Sequence, residues 1–399
     1  MELVIIGGGV SGRAAEKLGK KLGYTCTVVE DKTCSVLPPA DLIVASPGVF
    51  PARSSLYQQA LSSGVELIGE MEFAFRHFHG RILAITGTNG KTTTTELTTH
   101  LLNAMGHTAL FAGNIGRPLS ELAAEAYSDT AVVEVSSFQL ELAPAFAPFA
   151  AALLNLESDH EDRYPGGFEE YCAVKRRIFR RTPEENRILG LSFADAPRRI
   201  TVREDHLCLD GEKFLDLRTT RLGAPHNREN LAAAAELVLR VVTKEELLSE
   251  RFIRAVQQFS PGRHRIEQVT EKNGILFVND SKGTNPAAVL AAVRSIGRKC
   301  VIMLGGLDKG MDFTPLAALV PHLSGAVLYG ESAGKIRTVL EGKIPLAACG
   351  SDFEAAFAAA VKMAQPGECV LLSPACASMD MFKNYQERGD RFCQLAQSL

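Results

Sequence analysis

A short stretch rich in glycine and threonine, at residues 86–92, has the composition of a phosphate-binding loop. It reads Thr-Gly-Thr-Asn-Gly-Lys-Thr and follows the apolar run at residues 82–86. Such a turn between a strand and a helix surrounds phosphate oxygens with backbone N–H groups, a lysine and a hydroxyl. The usual spacing would put glycine at position 85, where Ile85 stands. The stretch still predicts an ATP-type loop, with Lys91 on the β- and γ-phosphates and the Thr92 hydroxyl on Mg²⁺.

Further polar side chains follow apolar runs downstream of this loop. Glu134 lies within such a run, where an unpaired carboxylate would cost roughly several kcal/mol, so we expect a cation beside it. Asp159 and His160 follow the next run, at the strand end where sites in parallel sheets form. Lys175 belongs to residues 168–179, which by themselves predict an amphipathic helix with a solvated basic face.

A second glycine turn, at residues 7–12, satisfies G-x-G-x-x-G directly after a strand-like run, and Glu30 closes the next strand. Taken alone, this pattern indicates NAD or FAD. The physical requirement is only a helix N-terminus that accepts a pyrophosphate, and a UDP-sugar also meets it. We favour the UDP-sugar, because a nicotinamide or flavin enzyme would not need the second nucleotide loop. The turn at residues 45–49 could close over the same ligand or simply end a strand.

The elements that must position these side chains are short β-branched runs alternating with helix-like stretches. The runs cover residues 3–6, 42–45, 82–86, 131–135, 275–279, 300–304 and 369–372. This alternation predicts an α/β protein with parallel layers. Unusual turns at Gly7, Gly87 and Asp280 predict three nucleotide-sized modules in series. Polar residues before the run at 82–86 and the Ser-Pro-Gly sequence ending at residue 262 set the expected boundaries. The expected domains are residues 1–79, 80–262 and 263–399.

Composition restricts the possible partners. The 399 residues are 46 % hydrophobic and carry a net charge of -3, which disfavours nucleic acid as a partner. The nine cysteines include no C-x-x-C pair, as expected for a reducing cytoplasm. No basic leader precedes the first strand, and two prolines break the longest apolar stretch. We expect a cytoplasmic monomer that does not contact the membrane.

Four motifs, taken together, resemble those of the Mur ligases, and the first of them is also similar to that of the related folylpolyglutamate synthetases. They are the phosphate loop, Asp-His-x-Asp-Arg-Tyr at 159–164, His-Asn-x-x-Asn at 226–230 and Ser-Pro-Ala-Cys-Ala-Ser at 373–378. The resemblance covers essentially the whole chain. It implies a Rossmann-like N-terminal domain that binds the UDP substrate, a central P-loop ATPase domain and a Rossmann-like C-terminal domain that binds the amino acid.

The resemblance also implies roles for individual residues. ATP would be bound by Gly87, Thr88, Asn89, Gly90, Lys91, Thr92, Thr93, Asn227, Asn230, Arg265 and Asp280. One Mg²⁺ would be held by Thr92 and Glu134, and a second by His160 and a carbamylated Lys175, since a carbamate is a hard oxygen ligand whereas an ammonium would repel the ion. The UDP substrate would contact Val10, Ser11, Glu30, Lys32, Ser46, Pro47, Gly48, Asn114 and Ser136. By sequence alone, the last two would be a turn asparagine and a strand serine.

The end of the chain, residues 371–389, resembles the D-glutamate-adding branch of the family in particular. The two carboxylates of D-glutamate would be held by Lys282, Thr284, Lys309, Ser378 and Tyr385. Tyr385 stands where phenylalanine is common in the family, and Glu30 with Lys32 replaces its usual Asp and Arg, so these replacements keep charge and shape class.

The implied reaction joins D-glutamate to UDP-N-acetylmuramoyl-L-alanine through an acyl-phosphate formed from ATP, in peptidoglycan precursor synthesis. Lys91 and both metal ions would stabilise the transferring phosphoryl group, with carbamylated Lys175 acting through the second ion, and either Asp159 or His160 would be the base. The alternatives are a ligase that adds a different residue, a nicotinamide-dependent oxidoreductase and a P-loop switch protein without chemistry of its own.

Overall fold

The computed structural model describes residues 1–159, 163–260 and 262–399. Contacts divide these described residues into two compact units. The first unit comprises Met1–Leu156, Glu169–Gly223 and Asn227–Phe259, and the second comprises Glu157–Phe168, Ala224–His226 and Ser260–Leu399.

The first unit begins with a parallel sheet whose strands lie in the order β2-β1-β3-β4. Its elements are β1 (Glu2–Ile6), α1 (Val10–Lys21), β2 (Thr25–Val29), β3 (Leu42–Ala45), α2 (Ser55–Ser62), β4 (Leu67–Gly69) and α3 (Glu70–Phe75). The inner strands β1 and β3 are buried almost throughout, as near-continuous apolar runs require in a parallel sheet covered by helices. The glycine turn lies between β1 and α1, at the carboxyl edge of this sheet.

A second parallel sheet follows in the same unit, with the order β6-β7-β5-β8-β9. Its elements are β5 (Arg81–Thr86), α4 (Lys91–Ala104), β6 (Ala109–Gly113), α5 (Leu119–Ala124), β7 (Thr130–Glu134), α6 (Ser137–Glu141), β8 (Ala150–Leu153), α7 (Gly167–Arg176) and β9 (Arg187–Leu189). Because β5 is central, the loops after β5, β7 and β8 meet at one edge of the sheet.

An antiparallel sheet and three helices complete the first unit. They are β10 (Ile200–Arg203), β11 (His206–Leu209), β12 (Glu212–Asp216), α8 (Pro225–Val238), α9 (Lys244–Leu247) and α10 (Glu250–Gln258). Apolar residues of this sheet, of α8 and of α10 share one core with α4 and the central strands. That packing brings the start of α8 close to the phosphate loop.

The second unit is built on a sheet of order β13-β14-β18-β15-β16-β17. Its elements are β13 (Glu267–Lys272), β14 (Ile275–Asn279), α11 (Pro286–Ile296), β15 (Cys300–Gly305), β16 (Leu323–Tyr329), α12 (Ala333–Leu340), β17 (Leu346–Ala348), α13 (Phe353–Met363), β18 (Cys369–Leu372) and α14 (Tyr385–Ser398). Short 3₁₀ segments in the chain are Pro51–Arg53, Arg177–Phe179, Glu184–Asn186, Leu217–Thr219 and Thr314–His322.

The multi-domain α/β prediction is confirmed, and each predicted β run is a strand within one residue at either end. Most neighbouring strands pair parallel, but β10 to β12 form antiparallel hairpins and β13 pairs antiparallel with β14, which the sequence did not predict. Glu30 follows β2 instead of closing it. Within the described ranges, no helix is both long and apolar enough to cross a membrane.

Candidate functional site

The phosphate loop connects β5 to α4 and is shaped by glycines that lie in the left-handed region. Gly90 has a φ of 82°, and a Cβ there would lie 2.2 Å from Asn230 Oδ1, so a side chain cannot be accommodated without displacing Asn230. Lys91 curls back over the loop, and its Nζ donates to the carbonyls of Gly87 at 2.9 Å and Thr88 at 2.8 Å. The loop thus presents an ammonium beside its own backbone, where phosphate oxygens bind in such turns.

Glu134 ends β7 beside this loop and is only 2 % exposed. Its Oε2 accepts a hydrogen bond from the Thr92 hydroxyl at 2.6 Å, and its Oε1 accepts one from Asn114 Nδ2 at 2.8 Å. The predicted pairing of Thr92 with Glu134 is therefore present in the structure. A hydroxyl and a carboxylate are the hard oxygen ligands that Mg²⁺ prefers, so these residues fit the ion.

Lys175 differs from its expected surroundings. The sequence predicted a solvated basic face on this helix, but Lys175 of α7 is 2 % exposed. Its Nζ donates to the Gly87 carbonyl at 2.9 Å and lies 4.7 Å from the centre of the Tyr171 ring. The fold therefore buries a lysine against the phosphate loop, which was not predicted from helical periodicity because the contact spans 88 residues.

Asn227 and Asn230 lie in the first two turns of α8, and both are buried. Asn230 Oδ1 accepts from the Thr94 hydroxyl at 3.3 Å, and its amide lies 3.5 Å from Asn227 Oδ1. The sequence-predicted asparagine pair therefore lies beside the start of α4.

Two further residues support the phosphate loop but were not singled out from the sequence. Asn155 Oδ1 accepts from the backbone N–H of Asn89 at 2.8 Å, and its carbonyl accepts from the N–H of Thr88 at 3.1 Å. The hydroxyls of Tyr171 and Thr88 are hydrogen-bonded at 3.1 Å. The only signal for Asn155 was its place directly after the β8 run, where site residues collect in parallel sheets.

The N-terminal glycine turn forms a pocket of about 490 Å³ that brings together most of the residues predicted to contact the UDP substrate. Those lining it are Val10, Ser11, Glu30, Lys32, Ser46, Pro47 and Gly48. The Glu30 carboxylate accepts from the N–H of Gly8 at 2.9 Å, and the Ser46 hydroxyl donates to the Gly7 carbonyl at 3.0 Å. A Cβ at Gly12 would overlap the Gly7 carbonyl oxygen at 1.8 Å, which explains the third glycine of the pattern.

The remaining residues predicted in this unit have structural contacts of their own. Ser136 caps α6 through a reciprocal pair with Gln139, whose N–H it accepts at 3.3 Å and whose side chain accepts the Ser136 N–H at 2.9 Å. Asn114 is the donor to Glu134 described above. Thr93 is buried in the first turn of α4.

Of the two predicted bases, the structure describes Asp159, which follows β8. Asp159 is half-buried and belongs to the second unit, whereas His160 lies outside the described residues. In the ranges that the structure describes, no group of three or more His, Cys, Asp or Glu side chains is arranged to hold a metal.

In the second unit, Asp280 directly follows β14 and is 6 % exposed. Burial raises the pKa of Asp280 from 3.8 to about 7, although hydrogen bonds from the Ser373 hydroxyl at 2.7 Å and the Ile266 N–H at 3.3 Å act in the opposite direction. Arg265, the other predicted ATP contact here, lies between His264 and Ile266, which have φ values of 66° and 49°. Positive φ is unfavourable for a β-branched residue, so this segment holds Arg265 in a strained turn.

The residues predicted to bind D-glutamate occupy three loops at the carboxyl edge of the sheet in the second unit, together with the start of α14. Lys282 and Thr284 follow β14, and the Lys282 ammonium lies 5.2 Å from the centre of the Tyr385 ring. Lys309 follows β15, and the buried Ser378 follows β18. The N–H of Ala375 donates to the Gly283 carbonyl at 2.9 Å and thereby joins two of the loops.

Comparison with protein families gives two matches. A model described as the Mur ligase middle domain matches residues 85–210, and one described as Mur ligase, glutamate ligase domain matches residues 264–376. Relatives called UDP-N-acetylmuramoylalanine–D-glutamate ligase occur in several bacteria. That of Salinibacter ruber is 35 % identical and the alignment covers 99 % of this chain and 97 % of the relative, while that of Aquifex aeolicus is 34 % identical, with 100 % and 99 % covered.

Solved structures share the fold at lower identity. UDP-N-acetylmuramate-alanine ligase of Thermotoga maritima superposes with a TM-score of 0.64 at 15 % identity, covering 100 % of this chain and 99 % of that one. The MurF ligase of Thermotoga maritima, in complex with ADP, gives 0.58 at 19 % identity, with 90 % and 88 % covered. The folylpolyglutamate synthase of Mycobacterium tuberculosis gives 0.59 at 16 %, with 80 % and 92 % covered.

Proposed function

This chain belongs to the Mur ligase family, and on that premise we propose that it joins D-glutamate to UDP-N-acetylmuramoyl-L-alanine at the expense of ATP. The relatives that carry this name align with nearly the whole chain, so the choice of substrates rests on them. The distant solved structures support the fold alone.

The geometric observation that carries the proposal is the cluster around the phosphate loop. Lys91, the Thr92–Glu134 pair and the buried Lys175 all lie against one short turn. An oxidoreductase that binds only a dinucleotide has no need of this second loop with its lysines. A ligase needs it, because a carboxylate must be activated before an amine can displace its oxygen.

We assign the N-terminal pocket to the UDP part of the acceptor. We also propose three domains, at residues 1–79, 80–262 and 263–399, of which the first and the last are Rossmann-like. The pocket lies at the start of α1, where free N–H groups favour a pyrophosphate. Glu30 lies beside the glycine turn and is suited to accept hydrogen bonds from hydroxyl or imide donors of the nucleoside.

In the first step, an oxygen of the acceptor carboxylate attacks the γ-phosphorus of ATP, ADP leaves, and an acyl-phosphate forms. The Lys91 ammonium, held over the loop, would follow the charge of the transferring phosphoryl group. Asn227 and Asn230 would orient the adenine, and Arg265 and Asp280 remain predicted ATP contacts.

In the second step, the amine of D-glutamate attacks the activated carbonyl carbon. The amine loses its proton to Asp159 or His160, the tetrahedral intermediate collapses, and the C–O bond to phosphate breaks to leave the amide and inorganic phosphate. Lys282, Thr284, Lys309, Ser378 and Tyr385 would hold the two carboxylates so that the amine meets the carbonyl. Positioning of this kind supplies much of the rate in a two-substrate reaction.

Magnesium would be held by Thr92 and Glu134, with a second ion on His160 and carbamylated Lys175. When bound, the ions would offset the negative charge of the phosphates and carboxylates. Carbamylation suits Lys175 because its Nζ lies 2.9 Å from a carbonyl oxygen of the phosphate loop, where a carbamate would offer the metal hard oxygen ligands and an ammonium would repel it.

The test is phosphate release from ATP and Mg²⁺ with UDP-N-acetylmuramoyl-L-alanine present, comparing D-glutamate, L-glutamate, L-lysine and no amino acid. We expect release only with D-glutamate, together with a product of matching mass. A requirement for another amino acid would refute the D-glutamate assignment, and release that ignores amino acids would indicate an ATPase switch. A complete lack of release would reopen the oxidoreductase hypothesis, tested by absorbance change with NAD(H).

The carbamate has a separate test. Protein equilibrated with ¹³C-labelled bicarbonate should show a carbamate carbon signal by NMR, and Lys175→Arg should lack it. A signal that persists in Lys175→Arg would place the modification on another lysine, and a wild type without signal would remove carbamylation from the proposal.

A further inference from the structure

Arg388, on α14, is the largest side chain that is completely buried in this chain. Its guanidinium donates from Nε to the Ser281 hydroxyl at 3.0 Å and from Nη2 to the Ser281 carbonyl at 2.8 Å. It also donates from Nη2 to the Cys376 carbonyl at 3.1 Å and from Nη1 to the Ala377 carbonyl at 3.3 Å. One planar group therefore joins the loop after β14 to the loop after β18.

A third loop is connected to the same point. The N–H of Leu307 donates to the Ala377 carbonyl at 2.9 Å. A Cβ at Gly306 would lie 2.1 Å from that carbonyl oxygen and 3.2 Å from Arg388 Nη1, so the loop after β15 packs directly on this centre. The Ser281 hydroxyl in turn donates to the Tyr385 carbonyl at 2.8 Å, and this bond connects the start of α14 to the same network.

The predicted D-glutamate contacts are close neighbours in sequence of the residues that Arg388 joins. Lys282 and Thr284 follow Ser281, Lys309 follows Leu307, Ser378 follows Ala377, and Tyr385 accepts from Ser281. Every proposed contact thus lies within three residues of an atom in the Arg388 network, although Arg388 itself is buried beneath the loops and is not among those contacts.

The charge of Arg388 is not explained by an ion pair. Its partners are carbonyl and hydroxyl oxygens, and no carboxylate in the described part of the chain lies within 4.0 Å of its nitrogens. Asp280 interacts with Arg388 electrostatically at longer range, but a buried cation that contacts no carboxylate is costly, and a leucine or methionine would fill a core position at lower cost. A guanidinium is required only where several acceptors must be fixed in one plane.

We infer that Arg388 is a positioning residue that fixes three loops in the arrangement that holds the two carboxylates of the amino acid substrate. This inference rests on the proposed function and deepens it. The arginine does not touch the substrate, and its effect passes through the loops that carry Lys282, Lys309 and Ser378.

The test compares steady-state kinetics of wild type, Arg388→Lys and Ser281→Ala for all three substrates. Lysine keeps the charge but loses the planar fork, so we expect the KM for D-glutamate to rise about tenfold or more. Ser281→Ala removes the hydroxyl that accepts from Arg388 and donates to the Tyr385 carbonyl, and it should raise the KM for D-glutamate about threefold or more. The KM for the UDP substrate should stay within about twofold of wild type, since its pocket lies in the first unit. The KM for ATP is not the reference, because Asp280, a predicted ATP contact, directly precedes Ser281.

Arg391→Lys, on the same helix, is the matched control, because Arg391 is half-exposed and pairs with Glu354. It should leave all three KM values and the melting temperature unchanged. The double variant of Arg388→Lys and Ser281→Ala should raise the KM for D-glutamate by less than the product of the two single effects, because both changes remove the Arg388–Ser281 bond and only Ser281→Ala removes the bond to the Tyr385 carbonyl.

An unchanged KM for D-glutamate in folded Arg388→Lys and in Ser281→Ala would overturn the inference, and so would equal rises in all three KM values. If Arg388→Lys fails to fold, Ser281→Ala decides alone. A wild type whose phosphate release needs no amino acid overturns the proposed function and this inference together, whereas an active wild type with insensitive variants overturns only the inference.

Discussion

Replacing Asp280 with asparagine tests whether burial of this carboxyl makes the second unit less stable at neutral pH. Asp280 is 6 % exposed, and burial raises its pKa from 3.8 to about 7. Asparagine has nearly the same shape and can keep both hydrogen bonds. Its Oδ1 can accept from the Ile266 N–H, and its Nδ2 can donate to the Ser373 hydroxyl, which rotates to accept.

The size of this destabilisation follows from the difference between the pKa of Asp280 in the folded chain and its pKa in the unfolded chain. Below pH 3.8 the carboxyl is protonated in both the folded and the unfolded chain, so it has no effect on stability. Between pH 3.8 and about 7 only the unfolded chain ionises, which favours unfolding. A difference of roughly three pKa units at 1.36 kcal/mol each gives a loss of about 4 kcal/mol by pH 8. Because Asp280→Asn has no proton to lose, it removes this loss.

The assay is amide hydrogen exchange of peptides from β14 and β18, comparing Asp280→Asn with wild type at each pH so that the intrinsic exchange rate cancels. The variant should be clearly more protected at pH 8, and the advantage should vanish towards pH 4. Asp312→Asn is the control, since Asp312 is exposed and a hydrogen bond from the Thr314 side chain lowers its pKa. Equal protection of Asp280→Asn and wild type at pH 8 would refute the reasoning.

Three further substitutions test the first unit. Glu134→Gln can still accept from Asn114 through its oxygen and donate to the Thr92 hydroxyl through its NH2 group, but it removes the charge expected to hold Mg²⁺. Phosphate release should therefore fall about 10- to 100-fold with little change in melting temperature, and an undiminished rate would remove Glu134 from the metal site. Gly90→Ala should lower the free energy of unfolding by about 1–3 kcal/mol, because alanine is strained at φ 82° and displaces Asn230. Denaturant titration measures this loss, and Gly64→Ser, at an exposed glycine of positive φ with no atom near its Cβ position, shows how much of it comes from strain alone. Glu30→Ala should raise the KM for the UDP substrate about tenfold and leave that for ATP unchanged, and a change in both would contradict the assignment of the pocket.

Site residues that directly follow a single strand in the chain could be predicted from the sequence. The phosphate loop, its lysine and its hydroxyl lie in consecutive residues between β5 and α4, and the glycine turn lies between β1 and α1. Hydrophobic runs located the strands, and the carboxyl ends of parallel strands locate a site. Glu134 and Asp280 were found in this way, because each follows or ends a buried strand.

Contacts between distant segments were not predictable in the same way. Lys175 meets Gly87 across 88 residues, and Arg388 meets Ser281 across 107. Helical periodicity predicts which face of α7 is apolar, but it does not identify a carbonyl oxygen of another loop that accepts from a lysine on that face. Positive φ at Ile266 is likewise set by the tertiary structure, since an isolated isoleucine avoids that region.

Glu134 shows which part of a buried contact can be predicted from sequence and which part cannot. A carboxylate within an apolar run needs partners, because burial without them costs roughly several kcal/mol, so the need could be stated from sequence. The partners are a hydroxyl 42 residues before it and an amide 20 residues before it, brought together because β6 and β7 are neighbours and the phosphate loop lies beside β7. Physical chemistry thus identifies which residues require partners, whereas the order of strands in the sheet determines which partners they find.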